Sequence, residues 1–202
     1  ADVNEAAADA APQSHFAFDL LRLRPMMAAL LMGAALFLMI GTFDALWAIV
    51  LDDLDASEFV SNLGIAIFAL PLIFLGSYGG RLAQRVGPFR FGPFGLLLGA
   101  AYMFLYGFMP SGILMLTVGV VHGVCDGLTV SSNAIAVGMV APPERQASAQ
   151  GMLGAAQTLT GGITAVLAGV LYGWGGRVLA YTACSVVMVG LAAAAWVLAG
   201  PE

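Results

Sequence analysis

Six long apolar stretches, separated by short polar connections, make up most of the sequence. They cover about 26–51, 59–80, 91–109, 112–140, 147–174 and 177–199. Each holds roughly 19–29 residues. About 20 residues at ~1.5 Å rise cross a hydrocarbon core about 30 Å thick. Backbone in lipid has no water to bond to, so each stretch is predicted to be a helix. Pro25 stands at the start of the first, where the missing N–H has no intrahelical acceptor. Pro71 lies inside the second, where it predicts a kink.

The polar residues inside these stretches are unevenly spread. The third and sixth are bland, with Tyr102 and Tyr106 in one and Tyr181, Thr182 and Ser185 in the other. The fourth and fifth are richer. On the fourth, Gly119, His122, Asp126, Thr129 and Asn133 recur at steps of three and four, which puts them on one helix face. Asp126 falls near mid-span, where a charge facing lipid costs at least about 2.5–3.5 kcal/mol. The stripe is therefore expected to face a bundle interior or a water-filled cavity. His122 and Asp126, one turn apart, either satisfy each other structurally or carry protons, the carboxylate loading and releasing one as water access alternates. On the fifth, Gln150, Gly154, Gln157, Gly161 and Thr164 form a matching stripe that either lines a cavity or permits close helix packing. Asp44 lies about 27 Å along the first helix from Met26. It is read either as a headgroup-level residue or as part of a cavity mouth.

Composition and charge sharpen this picture. The 202 residues are 60% hydrophobic and 9% charged. A soluble domain carries about 25% charge, so there is too little here to solvate a globular surface. There is no lysine, the formal charge is −5, and no basic patch points to nucleic acid. Arg22, Arg24, Arg81, Arg85, Arg90 and Arg145 fall on one side of six successive spans. Arg177 and the acidic group Asp52, Asp53, Asp55 and Glu58 fall on the other. The positive-inside rule then places both termini in the cytoplasm of a cell membrane. Cys125 and Cys184 lie in apolar runs, form no disulfide framework and have no metal-ligand spacing. No cofactor is called for. Residues 1–21 read as an acidic, flexible cytoplasmic linker, and 22–202 as a six-helix transmembrane domain. His15 reads as an exposed interfacial residue. The chain begins Ala1-Asp2-Val3 rather than with methionine, and the expectation is a processed start or a piece of a longer chain.

Between the second and third stretches the sequence runs Gly80-Arg81-Leu82-Ala83-Gln84-Arg85-Val86-Gly87-Pro88-Phe89-Arg90. It resembles the loop signature of the major facilitator superfamily, matching at Gly80, Arg85, Gly87 and Arg90. Gln84 stands where that family usually has an acid, and Phe89 where a basic residue is common. A second resemblance is the Pro–acid–Arg stretch Pro142-Pro143-Glu144-Arg145, followed by small residues and a glycine-rich run. The resemblance implies an all-α membrane fold: six transmembrane helices in two inverted three-helix repeats, the C-terminal half of a twelve-helix transporter. It also implies that the third and sixth helices are peripheral.

The function so implied is secondary active transport by alternating access, as in efflux-type antiporters that export small amphipathic or cationic compounds in exchange for protons. The expected pathway residues are Asp126, His122, Thr129, Asn133, Gln150, Gln157 and Asp44. The expected partners are lipid, a small-molecule substrate, protons and an N-terminal six-helix half. The alternative is a complete six-helix protein, acting as a homodimeric transporter or a non-transporting membrane scaffold. An intramembrane protease is disfavoured, because the only histidine within a span shares its helix with Ser131 and Ser132, and no nucleophile motif surrounds them. The chain is therefore not expected to be an enzyme.

Overall fold

The computed structural model describes residues 18–200. Most of the 1–21 linker, including His15, lies outside the described residues. All regular structure among those described is helical. The helices are α1 (Arg24–Asp53), α2 (Glu58–Val86), α3 (Pro88–Tyr106), α4 (Gly112–Thr129), α5 (Ser132–Val140) and α6 (Gln146–Ala199). Single 3-10 turns at Phe18–Arg22 and Pro143–Arg145 precede α1 and α6. With α4 and α5 taken together, five helical runs are long and apolar enough to cross a membrane.

Five runs stand where six stretches were expected, and the reason is local. The 54-residue α6 covers both of the last two stretches. It is interrupted at Gly175 (φ −145°, ψ 20°) and Gly176 (φ 64°, ψ −165°), the two residues that separate them in the sequence. The positive φ of Gly176 suits a residue without Cβ. Thr164 and Ala168 before the break, and Ala180 and Cys184 after it, line one cavity against Thr42 of α1. The chain therefore doubles back at the two glycines.

Two other boundaries differ from expectation. Helix α2 continues to Val86, so Gly80, Gln84 and Arg85 are helical rather than in a loop. Gly87 alone (φ 99°) turns the chain into α3, whose first turn carries Arg90. The fourth stretch is broken at Val130 and Ser131, where the Ser131 hydroxyl donates to the Gly76 carbonyl of α2 at 3.2 Å.

Helix α1 is the centre of the packing. Met26, Ala28, Ala29, Leu46, Val50 and Leu51 are fully buried, and α6 covers α1 along both of its limbs. The approach is close because small residues face each other: a methyl on Gly41 would overlap the Gly161 carbonyl. Helix α2 lies at the margin. Only 6% of its most apolar window is buried, against 67% for α1. It packs mainly on α4, where a methyl on Gly127 would come within 2.5 Å of the Pro71 carbonyl, and one on Gly79 would overlap that of Leu128.

Contacts define the two ends of the bundle. At one, Ala56 packs on Gly112, Val178 on Gly107, and the Tyr172 hydroxyl bonds to Asp53. At the other, the Arg145 guanidinium donates to both oxygens of Asp19, at 2.9 and 3.3 Å, tying the turn before α1 to the turn before α6. That hydrogen bonding holds the exposed Asp19 carboxyl below the usual carboxylate range.

Two predictions follow from this packing. Gly127→Leu is expected to destabilise the detergent-solubilised protein by about 1–3 kcal/mol through overpacking. Gly190→Leu, with nothing within 4 Å of its Cβ position, should leave the thermal midpoint nearly unchanged. The Asp19–Arg145 contact, resting on a depressed carboxylate, is fully present at neutral pH and lost as pH falls through the folded-state value, below the usual carboxylate range. Amide exchange across residues 19–23 should therefore stay constant from pH 7 to 5 after correction for intrinsic rates, and rise throughout that range in Arg145→Gln.

Candidate functional site

The helical repeat of α4 aims His122 and Asp126 away from lipid. His122 is 0% exposed and Asp126 is 4% exposed. The imidazole has aromatic neighbours on two sides. Tyr102 of α3 stacks on it, with ring centroids 4.8 Å apart at 25°, and Phe68 of α2 meets it edge-on at 5.4 Å. The Tyr106 hydroxyl and His122 Nδ1 share a hydrogen bond of 2.9 Å. Tyr106 is itself fully buried, with Phe43, Trp47 and Tyr181 around its ring.

On the other edge of the imidazole, Nε2 lies 3.3 Å from Asp126 Oδ2, within ion-pair distance but without hydrogen-bond geometry. A carboxylate withdrawn from water is costly as an unpaired anion, on the order of several kcal/mol. Within the described residues, His122 is the ionisable group at ion-pair distance from it.

Two cavities flank the pair. Asp126 lines a small one of about 20 Å3 with Met32, Gly95, Thr129, Ser132 and Asn133, room for roughly one water. The Thr129 hydroxyl donates back to the Cys125 carbonyl at 3.0 Å, and Asn133 Oδ1 accepts from the Ala134 N–H. Asn133 Nδ2 and Ser132 Oγ are buried without a hydrogen-bond partner. His122 lines a larger cavity of about 210 Å3, between α1 and α2, together with Phe43, Asp44 and Phe68. The carboxylate thus borders the smaller space and the imidazole the larger, and Met39 of α1 lines both.

The expected pathway residues divide accordingly. His122, Asp126, Thr129 and Asn133 do share one interior face. Asp44 is exposed and reaches the same region only through the α1–α2 cavity. Gln150 and Gln157 are elsewhere. The Gln150 side chain donates to the Ala134 carbonyl at 2.8 Å, pinning α6 to α5. That of Gln157 packs where Gly33 opens space on α1. The motif residues Gly80, Gln84, Arg85, Gly87 and Arg90 lie around the α2–α3 joint, apart from the buried pair.

The sequence reading names Tyr102 and Tyr106 as the polar groups of a bland third stretch and gives them no part in the site, yet they are the principal polar and stacking neighbours of His122. The signal was present: two tyrosines four residues apart in an apolar span must bring their hydroxyls to partners on one side. Tyr106→Phe is expected to cost about 1–3 kcal/mol in thermal or denaturant unfolding, because it strands His122 Nδ1 in the core. Tyr102→Phe, which loses only a 3.7 Å contact to the Cys125 thiol, should cost less than ~1 kcal/mol.

No curated protein matches the chain. The family model described as Major Facilitator Superfamily matches residues 19–202 and takes in every helix described above. The chain belongs to the major facilitator superfamily, a family of membrane transporters.

Proposed function

We propose that this chain is the C-terminal half of a secondary active transporter that exports small molecules in exchange for protons by alternating access. The observation that carries this reading is the buried His122–Asp126 pair, held between two cavities by Tyr106. A proton-coupled carrier needs an ionisable group that water reaches from one side at a time, and a carboxylate of 4% exposure beside a cavity is suited to that.

In this reading α6 is two antiparallel spans joined at Gly175–Gly176, which makes six crossings in two inverted three-helix repeats. The reversal of chain direction at the glycines supports this. Both termini are cytoplasmic in the cell membrane, in keeping with the arginine-rich end that holds Arg22, Arg24, Arg85 and Arg145. The nearly bare α2 leaves an extended apolar flank for lipid and for an N-terminal six-helix half.

Asp126→Asn in the full-length protein, reconstituted into liposomes, is expected to abolish substrate flux driven by a pH gradient while leaving substrate exchange without a gradient measurable. Gradient-driven flux at the wild-type rate would remove Asp126 from the coupling role.

A further inference from the structure

The break between α4 and α5 brings a set of polar side chains to the small cavity beside Asp126. Ser131, bonded to the Gly76 carbonyl of α2, sits in the break. Ser132 and Asn133 open α5 directly after it, and both line the cavity. They are 1% and 5% exposed. The orientation of the Asn133 amide is fixed, because its oxygen accepts from the Ala134 N–H at 2.8 Å. Its nitrogen is left as a buried donor without a partner among the described residues, and the Ser132 hydroxyl is in the same position. The other two polar side chains of the wall are of the opposite kind. Thr129 gives its proton to the Cys125 carbonyl, so its oxygen has only lone pairs to offer. The ionised Asp126 carboxylate also only accepts.

We propose that this cavity is a binding site for one water molecule, which links Asn133 and Ser132 to Asp126 and Thr129. Two donors and two acceptors are the complement of water's own two lone pairs and two protons. The water accepts from Asn133 Nδ2 and the Ser132 hydroxyl, and donates to the Asp126 carboxylate and the Thr129 oxygen. A space of about 20 Å3 takes one water and no larger ligand. The same wall is poorly made for ions. A metal cation wants oxygen ligands and would meet the Asn133 N–H instead. A small anion would meet the Asp126 carboxylate. The bound water gives Asp126 a hydrogen-bond donor on the α5 side, whereas His122 lies one turn in the other direction along α4. It also bridges the break, because Asp126 and Thr129 belong to α4 and Ser132 and Asn133 to α5. The site does not depend on the transport reading, since the water binds whether or not Asp126 carries protons.

Density maps of the full-length protein in nanodiscs test the site, at a resolution that shows ordered water elsewhere in the protein. One peak is expected in the cavity, at hydrogen-bond distances of about 2.7–3.2 Å from Asn133 Nδ2 and from a carboxylate oxygen of Asp126. Its height should not change when choline replaces the sodium and potassium of the buffer. It should be lost in Asn133→Leu, which removes the donor and fills the space with methyl groups. A cavity without density, a peak that disappears with the alkali ions, or a peak retained in Asn133→Leu would each overturn the proposal. The first two outcomes are read on the wild-type protein, so they decide the matter even where Asn133→Leu fails to fold. A peak found in a protein whose Asp126→Asn variant keeps gradient-driven flux preserves the water and removes the coupling role. An empty cavity in a protein whose coupling is lost in Asp126→Asn removes the water alone.

Discussion

Lipid offers no hydrogen bonds, and this deficit governs how the molecule is arranged. Each polar group within a span must find its partner inside the protein. The partnerships observed follow from that. Thr42 and Thr129 donate to the carbonyl one turn back on their own helices. The Trp47 indole reaches the Ser61 carbonyl of α2. His122, too large to be served by its own helix, recruits Tyr106 from α3. The arrangement stays incomplete around Asp126: its carboxylate has ion-pair proximity to His122 without a hydrogen bond, and beside the small cavity it lines Asn133 Nδ2 and Ser132 Oγ are also buried without a partner. In a low-dielectric interior such partly satisfied polar groups are costly.

Close backbone contact is the second consequence of a lipid solvent. Helices in a bilayer gain little from hiding apolar surface from one another, so they associate where backbones approach closely. Gly41 against Gly161, and Gly79 and Gly127 against the carbonyls of the facing helix, provide that approach. The two seams divide the bundle unequally. One makes α1 and α6 a tightly packed unit. The other fastens α2 to α4 and leaves α1 and α2 loosely apposed, which is why the acidic and aromatic groove opens between them.

Legibility in the sequence varied with the distance over which each feature is decided. The spans could be read because hydropathy is local, and the partnership of His122 with Asp126 because four residues make about one helical turn. The reversal at residues 175–176 was legible as the gap between two apolar stretches. Features decided across helices were not. Nothing on α6 tells that Gln150 spends its amide on the Ala134 carbonyl of α5, so a polar stripe there read equally well as a cavity lining. The extension of α2 through Arg85 was hidden because a charged segment between apolar spans looks like a loop, whereas a helix that emerges from the bilayer carries charge without ending. The break at Val130–Ser131 depends on α2 supplying the Gly76 carbonyl, a contact 55 residues away in sequence.

The turn at Gly175–Gly176 has a mechanical corollary. The three backbone steps from Trp174 to Arg177 reach at most about 11 Å when fully stretched. Packed helix axes already stand roughly 8–10 Å apart. Almost no slack remains, so the two limbs of α6 are stapled at that end like the arms of tweezers. A lipid tail or a solute has no room to wedge between them there, and any parting of this seam must begin from the opposite end.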